Sequence, residues 1–346
     1  MNTLKTLIIV TDLTLGGIQN YVRASANLLK EMNHKVFIIA INEAYKFKDI
    51  ETISLNNYSS YKKPLFISQF IKENAIDVVM DHRTKSNILK QKVYDFLLRK
   101  TPKIQFIHSA HFDFYFYRWK VLNQFAYKHT TAFVSVSKYI DQLVSKEVTA
   151  KHQVLYHYFD DLAVHQNQDK KDILFVGRFE NDIKDLTFLL EAYHLSELHV
   201  QNVQFHFVGS GKDAALIKQF AANHNLEQKI VVHVATNDIA PFYQNAKVVV
   251  LASHFEGFPL VLMEALHHAT PVITTPFNNS VYELVKHQQN GLIVEKQLDI
   301  FAESLQKMFH NEELYNELLK NTQFFNEKFS KENAIKQWDM LLRDLF

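Results

Sequence analysis

The chemistry this sequence could do is concentrated in two carboxylates and two cations. In SHFEGFPLVLMEAL, residues 253–266, Glu256 stands on a loop directly before Gly257, Phe258 and Pro259. Glu264 follows eight positions later, inside an apolar helical run that opens near Leu260. Two glutamates at this spacing arise often by chance, so their meaning rests on what surrounds them. In VGRFENDIKDLTFLLEAY, Arg178 ends an apolar, strand-like run and Lys184 stands six residues on, at a helix start. Two cations so placed could clamp a diphosphate, the arginine as a planar fork and the lysine as a point charge. The plain alternative is a surface pair near a turn.

Glycine use points to the same class of ligand. The chain has only seven glycines in 346 residues, where ordinary usage of about 7% would give more than three times as many. Gly16 and Gly17 follow the first apolar run, Gly177 precedes Arg178, and Gly209 and Gly211 follow FHFV; Gly257 lies in the turn after Glu256, and Gly291 in an Asn-Gly turn. Most of these stand at the carboxyl ends of expected strands, where open α/β sheets bind ligands. Backbone approaching a ligand there, with amides at helix N-termini, favours a phosphate or diphosphate. Neither common nucleotide fingerprint occurs: TDLTLGGIQN lacks the G-x-G-x-x-G spacing, and no G-x-x-x-x-G-K-[ST] is found. A dehydrogenase or a P-loop enzyme is not indicated.

The elements that must position these groups alternate between strand and helix patterns. Apolar runs at Leu4 to Thr11, Val36 to Ile41, Asp77 to Met80, Ile104 to His108 and Ala132 to Val136 are separated by helix-like segments such as Gln19 to Glu31 and Asn87 to Arg99. A second series runs through Ile173 to Val176, Val203 to Val208, Ile230 to Val234, Val248 to Leu251 and Val272 to Thr274. Alternation of this kind gives parallel sheets covered by helices. Between the two series, HQNQDKKD, residues 165–172, contains no large hydrophobe and reads as the linker. Two doubly wound α/β domains facing across a cleft are the expected architecture.

Composition limits the setting. With 47% hydrophobic and 22% charged residues the chain is globular. No apolar run approaches the roughly 20 residues of a membrane span, and the N-terminal apolar core, Leu7 to Val10, is short for a signal peptide. The absence of cysteine removes thiolate metal sites and cysteine nucleophiles and fits a reducing compartment; the expectation is a cytoplasmic protein. Residues 1–168 carry 22 Lys and Arg against 14 Asp and Glu, whereas the remainder carries 16 against 23. His82 to Lys128 alone holds ten basic residues and two acids, and includes the aromatic stretch HFDFYFYRWK. Such a block suits an anionic membrane surface, here the inner face of the cell membrane. No fingers, repeats or RNA-binding signature support a nucleic-acid partner.

Taken together, these stretches resemble the retaining family 4 glycosyltransferases of the GT-B fold, the glycosyl transferases group 1. The resemblance runs through LGGIQNYV, IHSAH and VSVSKYI, then FVGRF with Lys184 before LLEAY, FHFVGSG, SHFEGFPLVLMEALHHATPVITT and NGLIV. It implies an acceptor-binding Rossmann-like domain over 1–165 and a donor-binding one over 166–328. A C-terminal helix over 329–346, which includes WDMLLRDLF, would pack back on the first domain.

By the same resemblance Glu264 binds ribose hydroxyls of a nucleotide sugar, and Glu256 faces the sugar ring. The amides of Phe258 and Leu260 meet the diphosphate, helped by Gly16, Gly17, Gly257 and Pro259, while Arg178 and Lys184 stabilise the leaving group. His108 lies near the transferred sugar, with His111 as a neighbouring competitor. The implied reaction is retaining transfer of a hexosyl or N-acetylhexosaminyl unit, UDP-linked, to a saccharide, lipid-linked or cell-surface polymer acceptor. No Asp-x-Asp motif occurs, so no metal and no cofactor beyond the nucleotide-sugar co-substrate is expected. The chain departs from the family pattern at LYHYFD, at Ala235 and at FNNSVYELV. A sugar-nucleotide epimerase of the same fold and a non-catalytic partner subunit are the alternatives.

Overall fold

The computed structural model describes residues 3–13, 17–44, 47, 49–159, 170–236, 238–322 and 328–345. The chain divides into two units, residues 1–158 with 329–346, and residues 159–328. Each is built around a parallel sheet.

The first unit runs β1 (Lys5–Val10), α1 (Gly17–Glu31), β2 (Lys35–Ala40), β3 (Glu51–Ser54), α2 (Lys62–Asn74), β4 (Val78–Asp81), α3 (Ile88–Leu97), β5 (Lys103–Ile107), α4 (Lys120–Ala126), β6 (Ala132–Ser135), α5 (Lys138–Glu147) and β7 (Lys151–Val154). The sheet order is β3-β2-β1-β4-β5-β6-β7. Its central strands read as largely apolar runs because helices cover both faces of a parallel sheet. On one face Leu7, Ile9, Phe37, Ile39 and Val79 pack with Ile67 and Phe70 of α2 and with Tyr94 of α3. The edge strands β3 and β7 were not foreseen. Their sequences, ETIS and KHQV, are polar and stay partly or fully exposed, so they carry no hydrophobic signal.

The second unit runs β8 (Asp172–Val176), α6 (Asn181–Lys184), α7 (Leu186–Leu195), β9 (Phe205–Gly209), α8 (Ala214–Asn223), β10 (Ile230–Val234), α9 (Ala240–Asn245), β11 (Ala246–Leu251), α10 (Leu260–His267), β12 (Val272–Thr274), α11 (Val281–Leu284), β13 (Gly291–Ile293), α12 (Leu298–His310) and α13 (Glu312–Thr322). Its order is β10-β9-β8-β11-β12-β13. Strand order therefore reverses between β8 and β11, the place where such sheets leave a crevice at the carboxyl ends of their strands. Arg178 and Lys184 follow β8, and Glu256 follows β11.

Most of the expected linker, residues 165–169, and the expected boundary at 165/166 lie outside the described residues. The end of that stretch belongs to the second unit. Lys170 is buried, and its ammonium donates to Thr270 Oγ1 at 2.7 Å and to the Tyr243 carbonyl at 3.1 Å. Burial pulls its pKa down to about 8.

The last helix, α14 (Lys331–Arg343), is grouped with the first unit. Ser330 caps it by accepting from the Asn333 amide at 3.2 Å. Its inward stripe, Ala334, Trp338, Leu341 and Leu342, is buried. Trp338 stacks on Phe106 of β5 with ring centroids 5.9 Å apart. Lys331 pairs with Glu31 at 2.7 Å, and Lys151 pairs with Asp344.

Candidate active site

Lys184 and Glu256, 72 positions apart in sequence, meet at the reversal point of the second sheet. The Lys184 ammonium lies 2.5 Å from Glu256 Oε1, and both side chains are about 13% exposed. Ser253 Oγ donates to the same carboxylate oxygen at 2.7 Å. Asn278, in the loop after β12, donates to the Glu256 backbone carbonyl at 2.5 Å. Asn278 is itself oriented by the Ser280 amide at 2.8 Å and the Ser280 hydroxyl at 2.6 Å, both donating to its Oδ1. The stretch FNNSVYELV, which departs from the family pattern, thus supplies a brace for Glu256. Sequence reasoning passed over both Ser253 and Asn278.

The loop after β11 is also tied to α6, because the His254 amide donates to the Ile183 carbonyl at 2.8 Å. Asp185 closes α6 with φ of 50° and opens α7, where its carboxylate accepts from the Phe188 amide at 3.3 Å. Lys296 then binds Asp185 at 2.7 Å. Lys184 is held at a fixed corner between two short helices, partly shielded and already paired. An ammonium has three donors, so the pair leaves Lys184 able to bind an anion as well.

Arg178 is placed differently. Its side chain is 62% exposed, and Nη1 donates to Glu180 at 2.7 Å. It shares the carboxyl end of β8 with Lys184, but its contact is with Glu180 and not with Glu256.

The glycines of this edge serve the protein's own backbone more than the sequence suggested. A Cβ on Gly209 would stand 1.9 Å from the Gly177 carbonyl oxygen, and one on Gly211 would stand 2.4 Å from the Phe179 carbonyl oxygen. Both also have positive φ, 158°. Here close backbone approach is between the loops that follow β8 and β9. Gly291, expected in a turn, opens β13, where a Cβ would meet Val272 at 2.6 Å.

Glu264 lies within α10, after a turn in which Phe258 is buried and Pro259 caps the helix with φ of −77°. Leu260 is the first helical residue, so its amide has no acceptor within the helix. Gly257 is partly exposed between these groups and Glu256. The Glu264 carboxylate accepts from the Tyr243 hydroxyl at 2.5 Å. Tyr243 is fully buried on α9, and nothing in the sequence marked it.

Burial raises the Glu264 pKa to about 7, against the opposing pull of the Tyr243 hydrogen bond. The folded chain therefore keeps this proton at pH values where the unfolded chain has lost it. Stability from this group is fully present below about pH 4.5 and declines until pH passes about 7, by on the order of 3 kcal/mol. Glu264→Gln removes that dependence, so its stability curve should run above wild type at pH 8 and converge with it near pH 4.5. Denaturant titrations at the two pH values measure this, and parallel curves would refute it.

In the first unit, His108 directly follows β5 and its Nε2 lies 2.8 Å from His82 Nδ1. The Tyr21 ring meets His108 edge-on at 5.1 Å, and the His108 amide donates to the Tyr115 hydroxyl at 3.2 Å. Burial, then the neighbouring His157, lowers the His108 pKa to about 3. His82 is lowered well below the ordinary value by burial, then by His108. Both imidazoles are neutral at neutral pH, one donating and one accepting. The competitor His111 is exposed and stacks on Phe114 at 4.6 Å. Gly17 opens α1 and is exposed, while Gly16 lies outside the described residues.

Residues 160–324 match the family model "Glycosyl transferases group 1". Over 99% of both chains the sequence is 24% identical to the GalNAc-alpha-(1->4)-GalNAc-alpha-(1->3)-diNAcBac-PP-undecaprenol alpha-1,4-N-acetyl-D-galactosaminyltransferase of Campylobacter jejuni. It is 25% identical to an uncharacterised glycosyltransferase of Methanocaldococcus jannaschii, over 93% of this chain and 92% of that one. Among solved structures, the pneumococcal O-GlcNAc transferase GtfA in complex with UDP and GlcNAc superposes with a TM-score of 0.82 at 12% identity, covering 100% and 99% of the two chains. Anabaena HepE in complex with UDP and glucose gives 0.77 at 16% identity, covering 98% and 99%. These structural likenesses are ones of fold, the two-unit GT-B architecture.

Proposed function

For a chain that is a glycosyltransferase of the group 1 family, we propose retaining transfer of a hexosyl or N-acetylhexosaminyl unit from a UDP-linked sugar to a hydroxyl of a saccharide, lipid-linked or cell-surface polymer acceptor. The observation that carries this reading is the Lys184–Glu256 pair at the reversal point of the second sheet, with Glu264 on the helix that follows.

In the reaction the bond between the anomeric carbon and the diphosphate oxygen breaks, and its electron pair leaves with the nucleotide. The acceptor oxygen bonds to the same carbon on the same face, and the acceptor proton passes to the departing diphosphate. Lys184 and Arg178 meet the charge growing on that diphosphate, together with amides from Gly257 to Leu260 and the Gly16–Gly17 loop. Glu256 faces the sugar, where positive charge develops. Glu264 accepts from ribose hydroxyls. His108, neutral at working pH, is a hydrogen-bond partner of the transferred sugar and not a cation.

Metal independence belongs to the proposal, since side-chain cations do the work a metal would do at the leaving group. Chelation should therefore leave the rate unchanged. We place the protein in the cytoplasm, peripheral at the inner face of the membrane. The deciding assay follows nucleotide release from UDP-, GDP- and ADP-sugars with and without acceptor. Transfer needs an acceptor for full rate. Conversion of the donor sugar without one would indicate an epimerase, and no turnover of any donor would indicate a non-catalytic subunit.

The two glutamates should fail in different ways. Glu264→Gln weakens donor binding by about tenfold, the scale of one hydrogen bond to a charged group, with a smaller change in turnover. Wild-type donor affinity should also fall as pH drops below about 7, where Glu264 takes up its proton, and the Gln variant should lose that dependence. Glu256→Gln leaves affinity near wild type and lowers turnover, because its charge matters most in the transition state. Calorimetry alongside transfer rates separates the two. Indistinguishable profiles in both variants would remove the role assignment.

A further inference from the structure

On the first unit, α3 is turned against its own composition. Its inward side holds Gln91, Tyr94 and Asp95, all buried, while Leu89, Val93 and Phe96 are 76%, 47% and 52% exposed. These three stand at i, i+4 and i+7, one stripe of a helix. The orientation is locked from below. Asp95 accepts from Lys103 at 3.2 Å, from Lys92 at 3.0 Å and from His129 Nδ1 at 2.7 Å.

Beside it, α4 continues the same kind of face. Trp119, Val121 and Phe125 are 65%, 73% and 48% exposed. Lys92 joins the two helices by donating to the Phe125 carbonyl at 2.9 Å while its ammonium lies 4.5 Å from the Phe125 ring. The Arg99 guanidinium lies 3.6 Å from the Phe96 ring. Arg99 and Lys100 follow α3, Arg118 and Lys120 stand at the start of α4 and Lys128 follows it, all of them exposed; of the two acids between His82 and Lys128, Asp95 is buried and only Asp113 is exposed.

We propose that the α3–α4 face is a docking surface for an anionic phospholipid bilayer. Charge selects this occupant. Six large apolar side chains bordered by cations match a membrane interface, where rings settle among headgroups and each lysine or arginine adds attraction to anionic lipid. A second copy of the same basic face would repel it. The docking rests on the peripheral placement proposed above and does not depend on the donor chemistry, so transfer to a water-soluble acceptor persists if docking fails.

The test uses the full chain carrying Trp338→Phe, which leaves Trp119 as the only indole. Vesicles of phosphatidylethanolamine and phosphatidylglycerol should float the protein and shift Trp119 emission to the blue. All-phosphatidylcholine vesicles should do neither. Raising salt from about 0.1 M to about 0.5 M should release it, as screening demands. A triple variant, Leu89→Ser, Val93→Ser and Phe96→Ser, and a second, Arg118→Gln, Lys120→Gln and Lys128→Gln, should each lose about tenfold or more in partitioning, with unchanged melting and unchanged transfer to a water-soluble acceptor. Lys92 is left alone because it holds Asp95. Equal binding to neutral vesicles, flotation without a Trp119 shift, or self-association abolished by the triple variant without any vesicle binding would each overturn the proposal.

Discussion

Replacing Lys184 with alanine should lower transfer turnover about 100- to 1,000-fold, the range seen when one preorganised donor to a developing anion is removed. Donor affinity should change less, because the diphosphate carries more charge on its bridging oxygen as the sugar departs than it does in the ground state. Added magnesium should not restore the rate if the ammonium, and not a metal, neutralises the leaving group. The structure adds a second consequence. Lys184 is paired with Glu256 at 2.5 Å in a site where each side chain is only about 13% exposed, so the alanine variant leaves a shielded carboxylate with Ser253 as its remaining side-chain donor among the described residues. Combined with Glu256→Gln, the two losses should be clearly non-additive, as expected for groups in direct contact. Rapid-quench rates with calorimetric donor binding measure both parts. Turnover within about threefold of wild type would be far below the expected effect and would mean that the pair is structural.

The largest stability effect should come from the opposite end of the chain. Trp338 is 1% exposed on α14 and stacks on Phe106 of β5. Its truncation to alanine should cost about 3–5 kcal/mol, felt in the first unit. For a unit of this size each kcal/mol corresponds to roughly 2–4 °C in midpoint. Trp338→Phe, which keeps a ring in the cavity, should recover most of the loss. Both tryptophans lie in the first unit, and Trp119 is 65% exposed. The emission change on unfolding therefore comes mainly from Trp338, and Leu341→Ala keeps that reporter while loosening the same helix. Unshifted midpoints in both alanine variants would show that α14 contributes little to the unit it is grouped with.

Much of the fold was legible because central strands of a parallel sheet must be apolar on both faces. LKTLIIV, KIQFIH and KVVVLA announce themselves for that reason. The edge strands β3 and β7 need only one neighbour and little burial, so ETIS and KHQV carried no such mark. The family resemblance singles out Lys184, Glu256 and Glu264. Their supports were invisible because they act across long separations. Asn278 reaches Glu256 over 22 positions, and Tyr243 reaches Glu264 over 21. Glycine at the strand ends suggests backbone approaching a ligand, but at Gly209 and Gly211 the approaching group is the chain's own backbone. Arg178 shows the limit of position alone, since adjacency to a strand end does not say which way a long side chain turns.

The division of the chain also sets an order of events during synthesis. The first unit is assembled from residues 1–158 and 329–346, whereas the second is one continuous segment that finishes earlier. As the polypeptide emerges from the ribosome at about 5–20 residues per second, the second unit is complete in sequence while the first still lacks the indole that covers Phe106. The half of the protein translated first is the last to close its core. Until residue 338 appears, an apolar face on β5 stays open to whatever chaperone or neighbouring nascent chain meets it.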